Sequence, residues 1–192
     1  TRFAETILPL INEDQDKAVE TMTVALEAYQ DLYQSTWLKS AAAKIGLSSP
    51  SEADHALVSR LFSIMFSDKA DFTLVFRRLS EVLRGNKVPL QLLFNNQSRL
   101  NDWIVQWRSR LEGEVRSEAQ VANDMDLINP IYIPRNHKVE EVIDSAVKDG
   151  DLSPFNILLK LVSNPYDEKS DMDSYTLPSI EGEVPYQTFC GT

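Results

Sequence analysis

Apolar side chains recur every three or four positions along most of the chain, and glycine, proline and small polar clusters interrupt the recurrence. From about Glu13 to Ile45, the residues Val19, Met22, Leu26, Tyr29, Tyr33 and Trp37 line one helical face. A pattern of this length fits one bent helix or two consecutive helices broken near residues 34–36. Gly46 stops it. Ser51 can cap a second helix, with Asp54 at the return position of a capping box and Val58, Leu61, Phe62 and Met65 on the core face. A third starts near Asp71, buries Phe72, Val75, Phe76, Leu79 and Leu83, and ends at Gly85.

Pro89 suits the first turn of a short helix reaching Leu93 and Phe94. Ser98 then opens another that places Leu100, Trp103, Ile104, Trp107 and Leu111 on one side. Residues 117–128 form a weaker helix stopped by Asn129-Pro130, and Pro134 keeps the following backbone extended. Helical spacing resumes from Asn136 to Lys148 and again after Ser153-Pro154, with Phe155, Leu158, Leu159 and Val162. No segment alternates as a strand does, because Ile131-Tyr132-Ile133 is short and flanked by prolines. The pattern predicts an all-α fold of about seven or eight helices over residues 1–163.

Residues 164–192 change character. They carry Pro165, Pro178 and Pro185, six acids against Lys169 alone, and the aromatic anchors Tyr166, Tyr175, Tyr186 and Phe189. This composition predicts an extended acidic arm lying over the helical domain. Residues 77–116 hold eight bases against four acids and are its natural dock.

The chain has 192 residues and a formal net charge of −10. One domain of this size buries a full core without disulfides or metal. Cys190 is the only cysteine, which rules out an internal disulfide and cysteine-based metal clusters. The acidic balance argues against nucleic acid as the main partner. No run is long and apolar enough for a membrane span, and there is no secretory signal. The sequence starts at Thr1 without a methionine, which reads as a piece of something larger.

Catalytic signatures are absent. No two glycines are spaced for a phosphate-cradling loop, so no motif here holds a nucleotide. His55 and His137 lie far apart, outside any metal-binding spacing. The acids from Asp167 to Asp173 lack the glycine and closing glutamate of a calcium loop. Arg77-Arg78 and Arg99, Arg108 and Arg110 could meet phosphate, but the interleaved Trp103 and Trp107 have core spacing. No catalytic, cofactor-binding or metal residue is assigned within the chain.

One ordered signature stands out: Asn129-Pro130-Ile131-Tyr132-Ile133-Pro134-Arg135-Asn136, a helix, Asn164-Pro165-Tyr166-Asp167-Glu168, and a cysteine close to the C-terminus. Upstream, Ile11-Asn12-Glu13-Asp14 precedes the long helix that leads to Lys44-Ile45-Gly46-Leu47. Together these resemble the C-terminal helical part of the selenoprotein O family, kinase-like protein adenylyltransferases of bacteria and mitochondria. The chain departs from the usual family pattern at Ile131, Pro134 and His137 and in its Cys-Gly-Thr ending.

The resemblance implies a parent enzyme that binds ATP with Mg or Mn and moves AMP onto Ser, Thr or Tyr hydroxyls of protein substrates. Its nucleotide and metal residues belong to a kinase-like N-terminal core of the same polypeptide, which is the implied partner of this part. The location implied is the bacterial cytoplasm, or the mitochondrion in a eukaryote. Asn129, Pro130, Arg135, Asn136, Asn164 and Pro165 are then structural-motif residues, with Asn136 able to cap a helix and Arg135 able to reach an acid or a buried carbonyl. Cys190 matches a redox position of the family. The alternative reading is a helical protein-interaction module unrelated to any transferase.

Overall fold

Asp14, the last residue of an Asn-Glu-Asp turn, accepts hydrogen bonds from the amides of Asp16 and Lys17 and so starts the longest helix of the molecule. That helix, α2, runs unbroken over Gln15–Lys44, which settles the open choice between one helix and two. The computed structural model describes residues 2–179, whose regular structure is entirely helical. Ahead of α2 lies α1, Arg2–Ile11, with Pro9 inside its last turn. The sequence pattern, read from Glu13 onward, did not anticipate this helix.

Gly46 ends α2 with φ +84°, a left-handed conformation that costs glycine nothing. It is needed twice over, because a Cβ at this position would collide with Val121 Cγ1 and press on Met125 Sδ. Helix α3 covers Asp54–Asp68 and begins three residues later than Ser51, its expected start. The amide and hydroxyl of Ser51 both donate to the Asp54 carboxylate, so only the return half of the capping box forms. Helix α4, Phe72–Leu83, is capped by Asp71, whose side chain accepts from the Leu74 amide at 2.8 Å.

Short α5, Val88–Gln91, has Pro89 in its first turn. Helix α6, Gln97–Leu111, is capped by Asn96 rather than Ser98, through a bond from the Arg99 amide. A complete capping box between Ser117 and Gln120 opens α7, Glu118–Ile128. Helix α8, Asn136–Asp144, passes into a π-helical turn, Ser145–Asp149, and α9 covers Ser153–Ser163. Nine α-helices, one of them a single turn, stand among the described residues.

The core forms where α4 packs on α7 and α3 on α6, with the C-terminal part of α2 alongside. Trp103 and Trp107 are fully buried and stacked with ring centroids 5.4 Å apart. Each indole N–H has a partner: Trp107 donates to the Ile45 carbonyl and Trp103 to that of Leu57. A smaller cluster of Leu74, Ile131, Tyr132 and Leu161 seats the chain between α7 and α9.

Two expected core faces differ. Val19, Leu26, Tyr29 and Tyr33 on α2 are 45, 39, 62 and 56% exposed, because nothing among the described residues covers them. Phe72 at the start of α4 is likewise exposed, stacked on Phe62 at 5.9 Å.

Candidate functional site

The signature residues converge on the C-terminal ends of α2 and α7 and the start of α4. Asn129 is buried and uses both ends of its amide: Nδ2 donates to the Lys44 carbonyl at 2.8 Å, and Oδ1 accepts from Lys44 Nζ at 3.3 Å. One side chain thus satisfies a carbonyl at the end of α2 and holds its last lysine. Lys44 Nζ also lies 5.5 Å from the Phe76 ring centroid, and burial pushes its amine below the ordinary value. Pro130 follows and prevents α7 from continuing, and the chain passes directly into the buried Ile131 and Tyr132.

Beyond Pro130, the amides of Ile131 and Tyr132 both donate to the carbonyl of Pro165, at 2.8 and 3.2 Å. The two Asn-Pro turns, 35 residues apart in sequence, are therefore joined through backbone. Tyr132, nearly fully buried, accepts from the Lys169 amide through its hydroxyl at 2.9 Å. Glu168 completes this second strand of contacts. Its carboxylate lies 2.8 Å from Arg78 Nη1 and 3.6 Å from Arg77 Nη2. Burial opposes the charge of Arg78, but Glu168 and Glu81 more than offset it and raise its pKa.

Arg77 is buried and donates to the carbonyls of Asp126 and Asn129 at the end of α7, where the helix has carbonyls to satisfy. Arg135 is also buried and binds Asp71 with both terminal nitrogens, at 2.8 and 3.0 Å. Its Nε is buried without a hydrogen-bond partner.

The motif residues thus divide. Asn129 holds Lys44, Arg135 holds Asp71, and Pro165 accepts from the two amides that follow Pro130. Asn164 is exposed, and its side chain donates to the Lys160 carbonyl of the preceding helix at 3.4 Å. Asn136 is corrected outright: it is the first residue of α8, exposed, while Arg135 occupies the cap position without a side-chain capping bond. Cys190 lies outside the described residues. His55 sits beside Trp37, with ring centroids 5.2 Å apart, and next to Ser59.

Residue pairs that sequence reading missed are mostly long-range ions. Arg110 binds Asp54 at 2.7 Å. Burial would raise the Asp54 pKa, but Arg110 and Ser51 together hold it below the usual value. Glu114 is likewise held low, burial being overcome by Ser48 and Arg116. The only signal in the sequence was Asp54 in its capping-box position. Of the eight bases between residues 77 and 116, six form ion pairs with carboxylates of the fold; Arg99 and Lys87 do not among the described residues.

This donor set does not fit a nucleotide or a divalent metal. Its arginines face carboxylates, its carboxylates face arginines, and no group of three potential metal ligands occurs among the described residues. No described helix is long and apolar enough to cross a membrane. The arrangement is a clamp that fixes helix ends.

Comparison with known proteins gives the module its place. The family model described as "Protein adenylyltransferase SelO" matches residues 1–163, and the chain belongs to the SelO family. It is 39% identical over 193 residues to the "Protein nucleotidyltransferase YdiU" of Rhizobium etli, with all of this chain covered. The proteins of the same name from Bradyrhizobium sp. and Agrobacterium fabrum are 38% and 37% identical, again over the whole chain. The chain spans 39% of the length of each of these relatives.

Proposed function

We propose that this chain is the helical, catalytically silent part of a protein adenylyltransferase. A kinase-like core of the same polypeptide binds ATP with Mg or Mn and transfers AMP to Ser, Thr or Tyr hydroxyls of other proteins, in a bacterial cytoplasm or a mitochondrion. The observation that carries the reading is the family match over residues 1–163 in a chain that spans only 39% of its relatives. The internal pairing of most of its arginines with carboxylates among the described residues supports the assignment of catalysis elsewhere.

In this reading residues 1–163 are the helical domain, and residues 164–192 are an arm laid over it. The contacts of Pro165 and Glu168 with Ile131, Arg77 and Arg78 support that division. Asn129, Pro130, Arg135, Asn164 and Pro165 serve structure rather than chemistry. Cys190 is a redox element that pairs with a cysteine of the core, two thiols yielding their protons and electrons to a peroxide-class oxidant.

The test is direct. The full-length polypeptide carrying this chain, given ATP, a divalent metal and host proteins, attaches AMP to protein hydroxyls, read by peptide mass spectrometry. The 192-residue chain alone attaches none. Failure of transfer by the full-length protein, or transfer by the chain alone, overturns the reading.

A further inference from the structure

Between Thr23 and Thr36 every residue of α2 is exposed, fourteen consecutive positions that extend about 21 Å. On one side of this span α1 packs on α2 near Ala18, which is fully buried; on the other, Leu38, Ala41 and Ala42 join the core. A bare helix of that length is marginal in water unless something covers it. Val24 and Leu32 are exposed elsewhere on the helix, but the remaining large apolar positions share one face. Val19, Leu26, Tyr29 and Tyr33 form a stripe, and the two tyrosine rings stack at 6.1 Å.

At the foot of the stripe lies a cleft of about 520 Å³ between α2 and the start of α3. Trp37, His55 and Tyr33 give it aromatic walls, and Asp31 and Glu52 give it negative charge. Aromatic faces with carboxylates at the rim suit a lysine or arginine side chain. The whole arm shares that sign, with seven acids against two bases over residues 2–36.

We propose that the stripe and cleft of α2 dock the portion of the polypeptide that lies outside this chain, through an aliphatic or aromatic face edged with Lys and Arg. The inference rests on the reading above only in requiring a longer polypeptide, not on its chemistry. The 61% of the relatives' length that this chain does not span supplies a tethered partner of sufficient size. Tethering gives such a partner a high effective concentration. A second copy is the poorer occupant, because two arms of the same strong negative charge would meet.

Hydrogen exchange at the amides of residues 23–36 tests the proposal, in the full-length polypeptide and in the 192-residue chain at two concentrations. Exchange about a hundredfold slower in the full-length protein is expected, with fast exchange in the isolated chain at both concentrations. Leu26→Asp in the full-length protein returns exchange to the fast rate. The same change leaves the melting of the isolated chain unaltered, since Leu26 is exposed there. Fast exchange in both forms overturns the proposal, as does protection that survives Leu26→Asp. Protection of the isolated chain that grows with concentration also overturns it, in favour of a second copy. AMP transfer measured on the same sample separates the two readings: protection without transfer upholds docking and fails the enzymatic reading, whereas transfer without protection fails docking alone.

Discussion

Arg135 holds both carboxylate oxygens of Asp71, and Asp71 at the same time caps α4 by accepting from the Leu74 amide. The pair ties the loop after α7 to a helix start 64 residues earlier, and both side chains are largely shielded from water. Removing one partner of such a pair leaves an uncompensated charge in a poorly hydrated place.

Arg135→Ala is therefore expected to destabilise the chain by about 3–5 kcal/mol in urea denaturation. Arg135→Lys recovers only part of that loss, since an ammonium cannot span both oxygens. Asn136→Ala, one residue on, stays within about 0.5 kcal/mol, because Asn136 is exposed and makes no capping bond. An Asn136→Ala variant as weak as Arg135→Ala would contradict this assignment of roles.

Gly46 and Gly85 separate backbone strain from crowding. Both have strongly positive φ, +84° and +89°, but a Cβ at Gly85 would meet nothing within 4 Å, whereas one at Gly46 would strike Val121. Gly85→Ala should cost about 1 kcal/mol, the conformational penalty alone. Gly46→Ala adds about 1–3 kcal/mol for forcing α7 away from the end of α2. Thermal melts of the two variants, measured side by side, check the difference.

Acid should weaken the fold through Asp54 and Glu114, whose pKa values lie below their ordinary 3.8 and 4.5. A carboxylate held low in the folded state contributes stability that is fully present above its unfolded pKa and is lost as pH falls through the folded one. The loss therefore begins near pH 4.5 and deepens below it. Lys44, depressed by burial, acts at the other end: the unfolded chain holds its proton more tightly, so stability rises as pH climbs toward 10.5. Denaturation midpoints across pH show both limbs, and Asp54→Asn flattens the acid one.

How far the sequence disclosed this structure differs from helix to helix. The periodic spacing of Leu100, Trp103, Ile104, Trp107 and Leu111 placed α6 and its buried face directly, because one side of that helix meets the core along its whole length. The spacing of Val19, Leu26, Tyr29 and Tyr33 was as regular, yet those residues are exposed. Periodicity reports that a helix is amphipathic and says nothing of what covers it. Helix α1 escaped notice because Pro9 interrupts a segment of only ten residues. The order of Asn129, Arg135 and Pro165 marked where the site would be. Their partners, Lys44, Asp71 and the Ile131 amide, could not be read, since pairing across 85, 64 or 34 positions depends on the packed helices between them.

The arm after α9 provides a last and separable test, because its contacts are few and of known kind. Glu168 bridges Arg77 and Arg78, but each arginine has another carboxylate close by, Asp126 for Arg77 and Glu81 for Arg78. Loss of Glu168 therefore strands neither cation, and because its side chain is 33% exposed the pair contributes only about 1 kcal/mol. Glu168→Ala should leave the global unfolding midpoint nearly unchanged while loosening the arm locally. Two amides report that loosening: Ile131, which donates to the Pro165 carbonyl, and Lys169, which donates to the Tyr132 hydroxyl. Both are expected to exchange faster in Glu168→Ala, and amides in the middle of α6 are not. Tyr132→Phe should speed exchange at Lys169 more than at Ile131, since it removes the acceptor of the first and leaves the second bond in place. Unaltered exchange at both amides in Glu168→Ala would mean that backbone bonds alone hold the arm and that the Arg77–Glu168–Arg78 bridge is incidental.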